Sequence, residues 1–291
     1  MKFTNNQNLP APLVALLTQD FYSKGASEYS VTELMSPPRI RRLREQHNKE
    51  MVQDVTQLIA SKLGTFMHGK LEAKELPGHT NEERVFKEVD GITISGAIDL
   101  QSDGDGVVIT DYKFVKAWAV INHRKQGHSD WNIQLNIYKW LVETVNLKPV
   151  SDLSICAVIK DYNKRDVGEF YPEAEAVMIQ IPMMDNAEIE QYVKRRLEAH
   201  RDSKVAHDLG EELAFCTDEE RWMRETTFAV KRDGRKTAIR VFKTIEEANE
   251  LAIKEKGYVE TRPGEPVRCT GDYCGVAQWC NQYAGEQHDP E

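Results

Sequence analysis

The sequence lacks the features of a membrane protein and of a disulfide-bonded secreted protein. No apolar run approaches the roughly 18 residues that a membrane span requires, and the apolar stretch 11–17 stands beside Pro10 and Pro12 without a convincing cleavage site. Five cysteines in 291 residues are too few and too unevenly placed for a disulfide framework, since three of them fall within 269–280. We therefore expect a soluble cytoplasmic protein with no membrane partner, and the clustered cysteines suggest a bound metal.

The chain also lacks an excess of positive charge. Its 38 Lys and Arg residues stand against 47 Asp and Glu residues, for a formal net charge of −9. This balance excludes a protein that coats nucleic acid by bulk electrostatics, so a polyanionic partner would need a local basic patch or divalent ions. Two segments have the composition of such a patch, PPRIRRLRE at 37–45 and KRDGRK at 231–236. For each of them a solvated charged face is the alternative.

Hydrophobic periodicity predicts an α/β core over 1–205 and a separate C-terminal module over 206–291. Residues 1–30 lack clear periodicity and are expected to form an extended lead-in. The predicted elements of the core are a helix from Met51 toward His68, strands over 92–100 and 107–113, a helix over 131–145, strands over 153–160 and 176–182, and a helix from Asp185 to about His200. In the module, a strand over 237–242 and a helix over 245–254 are predicted.

The predicted hairpin GAIDLQSDGDGVVITDYK, residues 96–113, carries charged residues where a core is expected. Side chains two apart on a strand point the same way, so Asp111 and Lys113 share a face, and pairing across the turn brings Asp99 to the same end as Asp111. Converging carboxylates repel, and their burial is costly without a counter-charge. A divalent cation such as Mg²⁺ or Mn²⁺ resolves the conflict, and Lys113 would lie beside the metal-bound water. The alternative is an exposed hairpin with ordinary surface charges.

Two further segments suit the same site. His68 in GTFMHGK stands near the end of the first predicted helix, and Gln134 and Tyr138 in QLNIY lie at i and i+4 on one helix face. Without the other motifs, His68 would be interpreted as a structural histidine. Tyr138 would likewise be interpreted as an aromatic residue of the core.

In this order, GTFMH, GAID, DYK and QLNIY resemble the motifs of the PD-(D/E)xK nuclease superfamily, in particular its RecB-like branch of CRISPR-adaptation and bacteriophage recombination exonucleases. The stretch SVTELMSPPRIRRL resembles the start of these domains. The resemblance implies a restriction-endonuclease-like fold, in which helices flank a mixed β-sheet, and cleavage of the DNA backbone. It also implies residue roles: Asp99, Asp111 and His68 as metal ligands together with the carbonyl of Tyr112, Lys113 as the catalytic lysine, and Gln134 and Tyr138 as DNA contacts. Asp111 stands where many relatives have Glu, an accepted variant.

The C-terminal cysteines have the local density of a metal site. Cys269, Cys274 and Cys280 are separated by four and five residues, and Cys216 is the obvious fourth ligand. Four thiolates can hold tetrahedral zinc or a four-iron four-sulfur cluster, and free buried thiols are a third alternative. RecB-like nucleases often carry such a cluster on a tight C-terminal cysteine group, which favours iron–sulfur, although their first cysteine commonly precedes the nuclease core. Cys156 alternates with Ser154 and Val158 and is predicted to lie in the core.

The leading hypothesis is a Mg²⁺- or Mn²⁺-dependent DNA exonuclease of recombination or repair, plausibly phage-encoded and then acting in the host cytoplasm. The alternatives are a structure-specific endonuclease and a non-catalytic DNA-binding protein that keeps a nuclease fold. No helicase-type phosphate loop occurs in the sequence. Any unwinding of duplex DNA would therefore have to come from another protein. The partners expected are a helicase, a recombinase or a single-strand-binding protein.

Overall fold

The computed structural model describes residues 1–19, 23–127, 130–166 and 168–287. It divides into two compact units, and the chain passes from the first to the second twice. The first unit comprises Met1–Met35 and Asn48–Asp202, and the second comprises Ser36–His47 and Ser203–Glu291. The predicted division into 1–205 and 206–291 stays a prediction, and the second unit of the structure also includes Ser36–His47.

The first unit contains the long strands and most of the hydrophobic core. Its described strands are β1 Lys2–Thr4, β2 Tyr29–Ser30, β3 Val52–Asp54, β4 His79–Val89, β5 Ile92–Asp103, β6 Val107–Val115, β7 Val150–Ile159 and β8 Ala176–Gln180. The α-helices that begin in it are α1 Ala11–Thr18, α2 Val31–Met35, α4 Ile59–Glu72, α5 Ala117–Gln126, α6 Asp130–Leu141 and α7 Asn186–Leu209. A 3₁₀ turn at Val55–Leu58 precedes α4, and a π-helical turn at Val142–Asn146 extends α6.

The main sheet is mixed, as the sequence predicts. Its order is β2-β5-β6-β7-β8, and β4 pairs with β5 along most of its length. Strands β5 and β6 are antiparallel, β6 and β7 are parallel, and β7 and β8 are antiparallel. Apolar residues of these strands pack with α2, α6 and α7 in one core, in which Ile98, Ile109 and Leu135 are fully buried. This mixed sheet with flanking helices fits a restriction-endonuclease-like fold.

The second unit contains shorter elements and two small cores. Its described elements are α3 Pro38–His47, the end of α7, α8 Asp218–Arg221, β9 Thr227–Lys231, β10 Arg240–Phe242, α9 Ile245–Lys254, β11 Tyr258–Arg262, α10 Val267–Thr270 and α11 Asn281–Gln287. Strand β9 lies between β10 and β11 in an antiparallel sheet. Helix α9 packs on one face of this sheet, where Ala248 and Ala252 meet Val230.

Several boundaries differ from the prediction. The helix toward His68 begins at Ile59 rather than Met51, because 52–54 pairs as β3 with β1. Helix α7 continues to Leu209, beyond His200, and β10 is shorter than the predicted 237–242. The N-terminal residues are not simply extended, since Ala11–Thr18 forms α1. Among the described residues, none of the helices has the length and apolar character needed to cross a membrane.

The first basic patch is not an exposed surface. Arg39 and Arg42 are 4% and 5% exposed, and Arg41 and Arg42 both pair with Glu45 on α3. Of the four arginines in this segment, only Arg44 is exposed, so 37–45 does not present four free positive charges.

Candidate active site

The two hairpin aspartates lie where β5 and β6 separate. The last paired residues toward the open end are Leu100 and Thr110, and Asp99 and Asp111 come next on their strands. Beyond this point Oδ2 of Asp99 accepts a hydrogen bond of 2.8 Å from the backbone N–H of Tyr112. The Asp99 carboxylate thus takes the place of a backbone acceptor on β5. Asp99 and Asp111 lie at the same end of the hairpin.

Glu82 on β4 meets this pair from the next strand and was not predicted. In the β4–β5 register, Asn81 pairs with Leu100 and Glu83 with Ile98, so Glu82 stands opposite Asp99 outside the regular pairing. Its φ of 50° is in the left-handed region, which interrupts the strand. Three carboxylates therefore follow one another across β4, β5 and β6. Like charges opposite one another destabilise a sheet, so this row indicates a cation.

His68 approaches the same row from α4. Its Nδ1 lies 3.4 Å from Oδ2 of Asp99 and 3.4 Å from Oε1 of Glu82. Hydrogen bonding to Asp99, and then to Glu82, raises the pKa of His68 to about 10. Without a metal, the imidazole therefore carries the positive charge that partly balances these acids at neutral pH.

Asp111 is the most buried acid of the site. Its side chain is 2% exposed, and Lys113 Nζ lies 2.6 Å from its Oδ2, as expected for residues two apart on β6. Burial raises the pKa of Asp111, the Lys113 ammonium opposes this effect, and the charge of Asp99 adds to it. Oδ2 has no partner with hydrogen-bond geometry. A buried carboxylate oxygen in this state is suited to receive a cation.

Gln134 and Tyr138 on α6 hold the aspartate and the lysine in place. Lys113 Nζ donates to Oε1 of Gln134 at 3.0 Å, and Nε2 of Gln134 lies 3.3 Å from Oδ1 of Asp111 and 2.8 Å from the Tyr138 hydroxyl. Both α6 side chains are under 10% exposed. Burial, followed by the charge of Asp111, raises the pKa of Tyr138, so its hydroxyl stays protonated. The DNA contacts expected of these two residues stay a prediction.

Gly96 lets α6 approach the sheet this closely. A Cβ at this position would stand 2.8 Å from Cδ1 of Tyr138 and 2.9 Å from Cδ1 of Leu141. A side chain on β5 would therefore displace the tyrosine that Gln134 contacts. The glycine of the GAID motif thus has a packing reason, which the sequence alone does not reveal.

The donor set fits a hard divalent cation. His68, Glu82 and Asp99 each offer one ligand atom, and these atoms lie within 4.8 Å of one another. Carboxylate oxygens are the ligands that Mg²⁺ and Mn²⁺ prefer. The backbone of Tyr112 enters the site through its N–H, and the role of its carbonyl as a ligand stays a prediction.

The second unit brings the four predicted cysteines to one small cavity. Cys216, Cys269, Cys274 and Cys280 all line it. Gln282 binds the backbone of Cys216 twice, since its Oε1 accepts from the Cys216 N–H at 2.9 Å and its Nε2 donates to the Cys216 carbonyl at 3.0 Å. Burial, then the charge of Glu220, raises the pKa of the Cys216 thiol to about 12. A bound metal would favour the thiolate instead.

Arg39 of α3 serves this cysteine group rather than a DNA surface. Its Nε donates to Sγ of Cys280 at 3.3 Å, and its other nitrogens donate to the Leu213 carbonyl and to Asn281. A buried guanidinium beside the sulfur atoms suits a site that carries negative thiolates.

A family model for the PD-(D/E)XK nuclease superfamily matches residues 16–281, which is most of the chain. The chain belongs to this superfamily. Its members are metal-dependent nucleases that use ions such as Mg²⁺ or Mn²⁺, which agrees with the donor set around Asp99. The RecB-like branch, by contrast, is not distinguished by this match.

Two solved structures are similar to this PD-(D/E)XK chain at low scores. SSO0001 is 18% identical with a TM-score of 0.41, and the match covers 64% of this chain and 81% of that one. A protein from Eubacterium rectale, titled a putative exonuclease, is 16% identical with a TM-score of 0.29, and 54% of each chain is covered. No curated protein matches the chain. The family assignment therefore rests on the match over 16–281.

Proposed function

We propose that this PD-(D/E)XK nuclease is an exonuclease of the RecB-like branch, which hydrolyses DNA phosphodiester bonds in recombination or repair and is plausibly phage-encoded. One observation carries the proposal: Glu82 and Asp99 bring ligand atoms within 4.8 Å of each other on β4 and β5, and Asp111 follows on β6 in contact with Lys113. Such a group of like charges is costly to a fold and is useful for holding a cation against a phosphate.

The acids and His68 form the metal-binding part of the site. Asp99 and Asp111 would be the central ligands. His68 and Glu82 would add further ligands, and both lie close to Asp99. Mg²⁺ or Mn²⁺ bound here supplies Lewis-acid polarisation of the scissile phosphate and lowers the pKa of bound water.

Lys113 acts on the attacking water and on the phosphate. Its position is fixed by Asp111 at 2.6 Å and by the Gln134 carbonyl oxygen at 3.0 Å, which leaves its remaining N–H for water or a phosphate oxygen. The ammonium orients the water for in-line attack and stabilises the charge that grows on the phosphate. Gln134 and Tyr138 are positioning residues, because they act through Lys113 and Asp111.

Substitution of Lys113 tests the catalytic assignment. Lys113→Ala is expected to reduce cleavage of linear DNA by on the order of 10³-fold, while circular dichroism stays unchanged. Lys116→Ala is the matched control, because Lys116 follows β6 on the same segment and is exposed. Retained activity in purified Lys113→Ala protein would contradict the assignment.

The form of the DNA tests the exonuclease assignment. An exonuclease requires an end, so closed circular single-stranded and plasmid DNA should stay intact while linear DNA of the same sequence is degraded. Cleavage of the closed circles would instead favour a structure-specific endonuclease. Absence of Mg²⁺- or Mn²⁺-dependent cleavage of every form would indicate a non-catalytic DNA-binding protein.

The cysteine group, we further propose, holds a four-iron four-sulfur cluster. Four thiolates can hold tetrahedral zinc or a four-iron four-sulfur cluster. The support for a cluster is the sequence resemblance of the tight C-terminal cysteine group, Cys269, Cys274 and Cys280, to the group that often carries one in RecB-like nucleases. Iron and zinc contents of anaerobically purified protein, with its visible spectrum, decide between them.

A further inference from the structure

We propose that the turn between β9 and β10 binds the phosphate backbone of duplex DNA, independently of the catalytic residues. This inference rests on the proposed function for the identity of the polyanion. It concerns Arg232, Arg235 and Lys236 in the KRDGRK segment, which we call the basic turn. Neither the nuclease site nor the cysteine group uses these residues.

The basic turn has a defined backbone. The N–H of Arg235 donates to the carbonyl of Arg232 at 3.1 Å, and the N–H of Ile239 closes the loop on the Val230 carbonyl at 2.7 Å. Gly234 has a φ of 79°, in the left-handed region that glycine adopts without strain. The strands that flank the turn pack with α9 in a small core, in which Val230 is fully buried.

The charge of this region is opposite to that of the chain. Residues 231–243 contain six Lys and Arg residues and one Asp, a net charge of +5 in a chain whose formal charge is −9. Such a concentration in an acidic protein is not needed for solubility, which the net negative charge already favours. It is suited to a local contact with a polyanion.

The cations of the basic turn differ from their neighbours in forming no ion pair within the described part of the chain, although Asp233 lies between them in sequence. Lys231 pairs with Glu260 at 2.5 Å and Lys243 with Glu225 at 3.0 Å. Arg232, Arg235 and Lys236 are exposed, and within the described part of the chain no ion pair involves them. Their charges are therefore available to an external partner.

The partner that fits these charges is the DNA backbone rather than a base sequence. Exposed Arg and Lys side chains on a turn neutralise phosphates and release condensed counterions, which gives affinity with strong salt dependence and little sequence dependence. Tyr258, which pairs with Lys231 at the start of β11, is exposed beside the basic turn. A nuclease that degrades DNA of any sequence gains from a contact of this kind.

Salt-dependent binding tests the proposal. The protein is mixed with a fluorescein-labelled 30-bp duplex in EDTA, which prevents cleavage, and anisotropy gives the dissociation constant between 50 and 200 mM KCl. If both arginines contact phosphates, R232Q/R235Q makes the negative slope of log K against log salt shallower by about 1.8, and adding K236Q brings this reduction in magnitude to about 2.7. At about 0.1 M salt the triple substitution weakens binding by on the order of 100-fold.

Two matched variants make the result specific. K254Q/K256Q removes two exposed lysines of the same unit and is expected to leave the slope near the wild-type value. R232K/R235K keeps the charge and is expected to bind as the wild type does. An unchanged slope in R232Q/R235Q, or an equal loss in K254Q/K256Q, overturns the proposal.

Failure of this proposal and failure of the proposed function are distinguishable. The binding assay needs neither metal nor Lys113, so turn-dependent binding without any cleavage under Mg²⁺ refutes only the nuclease assignment. Cleavage with turn-independent binding refutes only the role of the basic turn. Equal competition by polyglutamate and by duplex would show a general anion surface instead, and would also overturn the DNA assignment.

Discussion

The nuclease site and the cysteine group differ in the support that the fold gives them. Among the described residues, the core cluster under the nuclease site has 28 buried apolar members, whereas the cluster that includes Cys280 has five. The first site is therefore held by strands and helices that are stable without a metal. The second has little apolar burial to offset chain entropy, so its order depends on what the thiolates bind. We thus propose a catalytic metal site in the first unit and a structural one in the second.

Loss of one thiolate gives the largest effect expected from this difference. Cys280→Ser is expected to remove the metal of the second unit and to make that unit sensitive to limited proteolysis, while the first unit keeps its protection. Binding of structural zinc contributes about 10–16 kcal/mol in small domains, which is comparable with or larger than the net stability of about 5–15 kcal/mol that most domains have. Metal analysis and proteolysis followed by mass spectrometry measure both consequences.

Cys156 is the matched control for this experiment. It is half-buried on β7 in the first unit and does not line the cavity of the other four cysteines. Cys156→Ser should keep the full metal content. An unchanged metal content in Cys280→Ser, or a loss in Cys156→Ser, would break the comparison.

Removing one acid from the nuclease site should change ion binding and leave the fold intact. Glu82→Gln is expected to weaken Mn²⁺ binding, measured by calorimetry without DNA, by at least the roughly 10- to 100-fold that loss of an outer-shell partner costs. Glu88→Gln is the control, since Glu88 is an exposed glutamate on the same strand. Equal Mn²⁺ affinity in wild type and Glu82→Gln would exclude Glu82 as a ligand.

A smaller effect, on stability alone, is expected from packing at Gly96. Gly96→Ala forces the new methyl group against Tyr138 and Leu141, and overpacking of this kind costs about 1–3 kcal/mol. The melting temperature of the first unit should fall while the metal content of the second stays constant. Gly69→Ala in α4 has nothing within 4 Å of its new Cβ and should be neutral or slightly stabilising. A lower melting temperature in both variants would contradict this explanation.

The residues that the sequence predicts correctly follow from short-range patterns. Asp111 and Lys113 share a face because side chains on a strand repeat every two residues, and Gln134 contacts Tyr138 because residues four apart adjoin on a helix. Asp99 reaches Asp111 because one turn joins their strands. The two residues of each pair lie within about 15 residues of each other in sequence, and local periodicity is sufficient to predict pairs at that range.

What the sequence does not predict depends on long-range register. Glu82 enters the site only because β4 pairs with β5 and breaks its ladder opposite Asp99, and no pattern around Glu82 encodes that break. Arg39 belongs to a segment with the composition of a basic patch, yet it is buried against Cys280. That contact spans 241 residues of sequence, so no local pattern predicts it. The predicted first helix reaches back to Met51 because Met51 and Val55 continue the helical spacing of Leu58 and Ile59, whereas in the structure 52–54 pairs with β1.

The place of α3 in the chain has a consequence for biosynthesis. Arg39 leaves the ribosome 241 residues before Cys280, and at about 5–20 residues per second this is a delay on the order of 10–50 s. During that time Ile40 and Leu43 have no core to enter, since the partners they pack against, Val276 among them, are not yet translated. The nascent chain therefore carries an uncovered apolar helix until the C-terminal residues of its own unit have been translated.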